Sequence, residues 1–136
     1  MAETRKIAVD FDGTIVENAY PGIGKPIIFA FETLKKLQDK GFRLILWTYR
    51  HGQSLDEAVA FCKENGLEFY AINQSFPEEE SAEGVSRKIN ADIFIDDRNV
   101  GGLPDWGLIY QELLGEIPQM NQKQKKSRSF FGFLNR

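Results

Sequence analysis

Four groups of residues in this chain have types and spacings suited to chemistry: Asp10 and Asp12 with Gly13-Thr14, Thr48 with Arg50, Lys88, and Asp96-Asp97-Arg98. Carboxylates are costly to bury unless paired or bound to a metal. Asp10 and Asp12 lie at i and i+2 at the end of the apolar run Ile7-Ala8-Val9. In an extended chain that spacing points both side chains to the same side. Left alone, two such groups raise each other's pKa. A hard, oxygen-seeking cation such as Mg²⁺ between them removes the conflict. Gly13 would then let the chain turn sharply out of a strand.

Other chemistries are poorly supplied. His51 is the single histidine and Cys62 the single cysteine, so His/Cys zinc clusters and Ser-His-Asp catalysis lack their parts. Cys62 falls among apolar helical positions and reads as a small core residue. One cysteine also excludes an internal disulfide framework and fits a reducing cytoplasm.

The elements that must position these residues alternate between strand and helix. Apolar runs at Ile7–Val9, Phe42–Trp47, Leu67–Ile72 and Ala91–Ile95 predict four strands. Ile27, Ala30, Phe31, Leu34 and Leu37 recur at helical spacing after Pro26, which suits a first helical turn, and Gly41 stops that helix. Ser54-Leu55-Asp56-Glu57 resembles a capping box opening a second helix, which buries Leu55, Val59 and Cys62. A third helix is expected from Pro104 to Gly115, holding Trp106, Tyr110, Leu113 and Leu114. Residues 17–25 and 73–85 read as loops. Such alternation predicts an α/β fold with right-handed crossovers, a parallel sheet and helices on both faces. Ligands of these sheets bind outside the carboxyl ends of the strands. Strands one, two and four end there in Asp10-Phe11-Asp12, Thr48-Tyr49-Arg50 and Asp96-Asp97-Arg98.

With 136 residues the chain has room for one domain, read as residues 1–118 followed by a tail over 119–136. The tail carries Lys123, Lys125, Lys126, Arg128 and Arg136 without an acid, beside Phe130-Phe131-Gly132-Phe133. Those five set aside, twelve basic residues face all twenty acidic ones, a balance of −8. An acidic body argues against a broad nucleic-acid footprint, although the tail could stack on bases, touch a membrane surface or dock on another subunit. Its polar part is read as flexible. No run approaches the ~18 apolar residues of a membrane span.

Asp10-Phe11-Asp12-Gly13-Thr14 followed by Ile15-Val16 resembles the first motif of the haloacid dehalogenase (HAD) superfamily. The resemblance covers about residues 5–115, and Thr48, Lys88 and Asp96-Asp97 match the second, third and fourth motifs. It implies a three-layer, doubly wound sheet of order 4-1-2-3. It further implies a Mg²⁺-dependent phosphohydrolase in which Asp10 forms an aspartyl-phosphate and Asp12 moves the protons. Thr48 would bind phosphate, and Lys88, with Arg87 as rival, would neutralise it. The metal would be held by Asp10, the backbone carbonyl of Asp12, Asp96 directly and Asp97 through water. Thr48-x-Arg50 and Asp96-Asp97-Arg98 are similar to the phosphatase domains of polynucleotide kinase-phosphatases, which makes Arg50 and Arg98 candidate phosphate ligands. Asp92 reads as structural.

The gaps Thr14 to Phe42 and Arg50 to Lys88 leave no room for an inserted cap domain. The site is therefore expected to be open, taking a small phosphorylated substrate covered by a neighbouring subunit of a homo-oligomer, or a nucleic-acid end. Tyr20, Pro21, His51 and Phe76 are candidate rim residues. Two other readings stand beside this one. A response-regulator-like phosphoacceptor domain would need an aspartate after strand three, where Ile72-Asn73-Gln74 has none. A catalytically idle binding module would not need an intact Asp10 and Asp12.

Overall fold

A computed structural model describes residues 5–78 and 89–115. Lys88, Arg87 and the tail beyond residue 118 lie outside the described residues. The order is β1 (Lys6–Val9), α1 (Ala30–Asp39), β2 (Arg43–Leu46), α2 (Gly52–Glu64), β3 (Ala71–Ile72), β4 (Ile93–Ile95) and α3 (Trp106–Leu114). All strand pairs are parallel, in the order β3-β2-β1-β4. The described chain is thus an α/β protein with a four-stranded parallel sheet and three helices, as in Rossmann-like folds. The strand order is the one the motif resemblance implies.

Pairing register decides which side chains share a face. Ile7 lies beside Leu44 and Ile93, Val9 beside Leu46 and Ile95. These join one buried cluster with Leu34 and Leu37 of α1, Ala58 and Cys62 of α2, and Trp106 and Ile109 of α3. Burying each large aliphatic side chain there contributes roughly 1.5–3 kcal/mol. The opposite face presents Ala8, Ile45 and Ala71, which cluster with Ile89 and with partly buried Tyr70, Ala91 and Phe94. All three described helices contribute to the first cluster and none to the second. Cover on the second face comes, among the described residues, from the β3–β4 connection. There Lys6 Nζ donates to the Ser75 carbonyl at 2.8 Å, and Asn90 N donates to Ser75 Oγ at 2.8 Å.

Several element boundaries differ from expectation. Pro26 does not open α1: it sits in an antiparallel bridge with Val16, where a residue without an N–H is tolerated. That bridge, with Glu17 N donating to Lys25 O at 2.8 Å, closes the loop 17–25 at its base. Gly24 is required there, because a Cβ would meet the Glu17 carbonyl oxygen at 2.0 Å. Helix α2 starts two residues before Ser54, whose hydroxyl donates to the His51 carbonyl at 2.9 Å instead of capping the helix. Only two residues of the expected third strand pair with β2, since Leu67 is buried in the helix-covered cluster. Helix α3 starts after Asp105, whose carboxylate accepts from Gly107 N at 2.9 Å, and ends at Gly115.

Candidate functional site

The carboxyl ends of β1, β2 and β4 bring three of the four groups together. Asp10 follows directly on β1, and its N–H donates to the Ile95 carbonyl at 3.0 Å, which places it beside Asp96. After Phe11 the chain turns back tightly, with the amides of Thr14, Ile15 and Val16 all donating to the Phe11 carbonyl. Gly13 adopts φ 84° in this turn. A Cβ on Gly13 would lie 2.2 Å from Asp97 Oδ2, so its bare Cα leaves the space that the Asp97 carboxylate fills.

Carboxylate oxygens of Asp10, Asp96 and Asp97 lie within 4.8 Å of one another. In a strand, Asp96 and Asp97 would diverge. Here the chain turns after β4, with Arg98 N donating to Asp96 Oδ1 at 3.1 Å and Asn99 Nδ2 to the Asp96 carbonyl at 2.7 Å. Both carboxylates therefore reach the cluster. Burial, above all, and the charges of Asp96 and Asp97 push the Asp10 carboxyl up to about 7, against a backbone hydrogen bond at Phe11 that lowers it. Asp97 Oδ1 is buried without a hydrogen-bond partner among the described residues. An orphaned oxygen, a carboxyl forced upward and an all-oxygen donor set suit a hard divalent cation. The three residues could hold a metal ion.

Thr14 joins the halves of this cluster. Its hydroxyl accepts from Asp97 N at 3.1 Å and donates to Asp10 Oδ2 at 3.4 Å. Its carbonyl accepts from Trp106 Nε1 at 2.9 Å, anchoring the turn to α3. From the sequence Thr14 reads only as part of the first motif, and Trp106 only as a residue of the third helix.

Asp12 is handled differently. Arg50 grips it through Nε to Oδ2 at 2.7 Å and Nη2 to Oδ1 at 2.8 Å, with both side chains buried. The remaining guanidinium N–H groups donate to the carbonyls of Pro21, Gly22 and Ser54. All five donors are thereby used inside the protein. Phe11 and Tyr20 flank the guanidinium at 5.0 and 5.1 Å. Hydrogen bonding to Asp12 holds Arg50 protonated above its ordinary value. Two expectations are corrected here. Arg50 is not presented to a substrate phosphate, because its N–H groups are all engaged within the fold. The Asp12 side chain is not part of the acidic cluster, because its oxygens face Arg50.

An open cavity of about 290 Å³ lies over the strand tips, lined by Asp10, Asp12, Asn18, Trp47, Thr48, Tyr49, Asp96 and Arg98. Thr48 is held by its N–H on Asn73 Oδ1 at 2.8 Å and by its hydroxyl accepting from Arg50 N at 3.1 Å. The end of β3 thus serves the site through Asn73, in a segment the sequence marked only as a polar loop. Arg98 is exposed at the cavity, as its candidacy requires. Of the expected rim residues, Tyr20 reaches the cavity wall through an edge-on contact with Tyr49 at 5.0 Å. Pro21 contributes its carbonyl to Arg50. His51 is exposed as the residue before α2 and does not line the cavity. Phe76 lies near Lys6 Nζ at the opposite end of β1 and is not at this rim. Asp92 is structural as expected, its Oδ2 accepting from Lys6 N at 2.8 Å. Cys62 is buried in the core, where burial pushes its thiol up to about 12.

Fold and site together define an α/β protein with a Rossmann-like parallel sheet and an acidic cluster at the carboxyl ends of its strands. No protein-family model matches the chain, and no curated protein sequence matches it. A solved structure, that of a conserved protein coded by a locus of Bacteroides thetaiotaomicron, is 59% identical with a TM-score of 0.78. The match covers 84% of this chain and 93% of that one. The chain belongs to the family of that conserved protein.

Proposed function

We propose that the protein is a Mg²⁺-dependent phosphohydrolase of the HAD type, in its three-layer, capless form. The observation that carries this reading is the acidic cluster itself. Asp10, Asp96 and Asp97 are packed within 4.8 Å with one carboxyl forced upward and one oxygen orphaned, an arrangement that costs stability unless a cation is shared. Asp10, Asp96 and Asp97 would hold the Mg²⁺, with the Asp12 carbonyl completing the protein ligands. Bound there, the ion would screen the repulsion between Asp10 and an anionic substrate and stabilise charge on the transferred group.

The chain's own residues supply the remaining steps. An Asp10 oxygen attacks phosphorus, forming the aspartyl-phosphate as the bond from phosphorus to the leaving oxygen breaks. Asp12, with one oxygen released from Arg50 and protonated, would deliver that proton to the leaving oxygen, then take one from the water that hydrolyses the acyl phosphate and restores Asp10. Arg50 is a positioning residue: its two-point grip fixes the plane of the Asp12 carboxylate and ties it to the loop 17–25. Thr48 and Arg98 bind phosphate oxygens, and Lys88 is the candidate cation against Asp10 and phosphate. The open cavity suits a small phosphorylated substrate, covered in turn by a second subunit, in the cytoplasm. A phosphoacceptor domain is less suited, because Asn73 holds Thr48 where such a domain would present its aspartate.

Hydrolysis of nitrophenyl phosphate with Mg²⁺ tests the proposal. Activity is expected that EDTA abolishes and Asp10→Asn removes. Equal rates for the wild type and that variant would eliminate the covalent mechanism.

A further inference from the structure

In the phosphohydrolase reading the cavity's polar residues are nearly all taken up by the cation, the phosphate and Arg50, which leaves its aromatic residues without a purpose in the chemistry. Trp47 is 37% and Tyr49 56% exposed, on either side of Thr48 and beyond the end of β2. Neither ring serves the core. Both are nonetheless braced. Trp47 stands edge-on to Phe94 at 5.0 Å and 72°. Tyr49 stands edge-on to Tyr20 at 5.0 Å and 87°, and Tyr20 itself lies over the Arg50 guanidinium. Ring positions fixed in this way lose little freedom when a ligand stacks on them.

Resting on the phosphohydrolase reading above, we propose that Trp47 and Tyr49 determine specificity by stacking a flat, unsaturated ring of the substrate, so that the substrate class is the nucleoside monophosphates. A polyhydroxylated sugar phosphate fits less well. Its hydroxyls would need polar partners, whereas Asp10, Asp96 and Asp12 are committed to the cation and to Arg50. Asn18 remains, and its Oδ1 already accepts from Tyr20 N at 3.3 Å. A base needs ring faces instead, and every base has one to offer. The cavity of about 290 Å³ lies at the small end for ligand sites and suits one mononucleotide.

Trp47 is its own reporter. The chain has two tryptophans, and the other, Trp106, is buried with 1% exposure. With Mg²⁺ present, a non-hydrolysable phosphonate analogue of adenosine monophosphate is expected to quench Trp47 emission, and methylphosphonate is not. Tyr49→Ala should raise the half-saturating analogue concentration about 10-fold or more, with Tyr49→Phe restoring it. In turnover, the kcat/KM preference for adenosine monophosphate over a hexose phosphate should fall by a similar factor in Tyr49→Ala. Hydrolysis of simple phosphoesters without quenching by the analogue would overturn the stacking proposal and leave the phosphohydrolase intact. Quenching sensitive to Tyr49→Ala, in a protein that hydrolyses no phosphoester, would uphold ring binding and overturn the enzyme reading. Equal kcat/KM for both substrates, unchanged in Tyr49→Ala, would also overturn the stacking proposal.

Discussion

Two arrangements of acid, one buried and one half-buried, stand within a few residues of each other, and they are built on opposite plans. Asp12 meets a guanidinium that satisfies both of its oxygens, and that guanidinium has every donor used. Asp10, Asp96 and Asp97 meet mainly one another; burial first, and then the neighbouring charges, push the Asp10 carboxyl up to about 7, and one Asp97 oxygen has no partner among the described residues. The first is electrostatically complete as it stands, and it fixes Asp12 at the cavity wall. The second could be satisfied by a shared cation, and a carboxyl shifted this far is a frequent mark of a functional site. Exposed acids cluster without consequence; these are held together by Gly13, Thr14 and the turn after β4.

The contrast can be broken from either side. Asp10→Asn is expected to have the largest effect, lowering phosphoester hydrolysis by at least about a thousandfold. At about pH 8 in EDTA the same variant should unfold at a higher temperature than the wild type, because it removes a charge disfavoured by burial and by the neighbouring acids; a lower temperature would count against a strained cluster. Arg50→Met acts on the other arrangement. Removing one partner of a buried ion pair costs about 3–5 kcal/mol. Urea unfolding should show that loss, and Asp12→Asn combined with Arg50→Met should recover part of it.

Gly13→Ala sharpens the difference at smaller cost. Its Cβ would strike the Asp97 carboxylate and the residue would keep φ 84°. A loss of roughly 1–3 kcal/mol is expected from the backbone alone. Stabilisation by Mg²⁺ should weaken as well, while the Arg50–Asp12 pair is left untouched.

The smallest effect is in pH dependence. The folded value of Asp10, about 7, lies above its ordinary 3.8, so its proton favours the folded state. That contribution is complete below 3.8 and lost as pH rises through about 7. In EDTA the unfolding temperature should therefore decline across this window, and saturating Mg²⁺ should remove the decline. Asp10→Asn should flatten the EDTA profile.

Much of this was legible in the chain before folding. Ile7–Val9, Arg43–Leu46 and Ile93–Ile95 announce strands by β-branched and aliphatic runs, and the residues just after them are those that meet at the sheet's carboxyl edge. Topology brought Asp10 and Asp96 together by a rule that needs no side-chain detail. What stayed hidden depends on three-dimensional neighbours. Arg50 reads as a candidate phosphate ligand until the Pro21 and Gly22 carbonyls arrive from a distant loop to consume its donors. Asp97 reads as pointing away from Asp96 until the chain turns. Trp106 reads as a core residue, which it is, and nothing in its spacing reveals the bond to the Thr14 carbonyl. Pro26 misled because the same fixed φ suits a helix start and an edge bridge alike.

Calorimetric titration of the chain with Mg²⁺, at about pH 8 and again at about pH 5, bears most directly on the acidic cluster, since protons and cation compete for Asp10. One ion per chain is expected at the higher pH, with binding strongly weakened at the lower and absent in Asp96→Asn with Asp97→Asn. Undiminished binding in that double variant, or no binding by the wild type at either pH, would contradict the account.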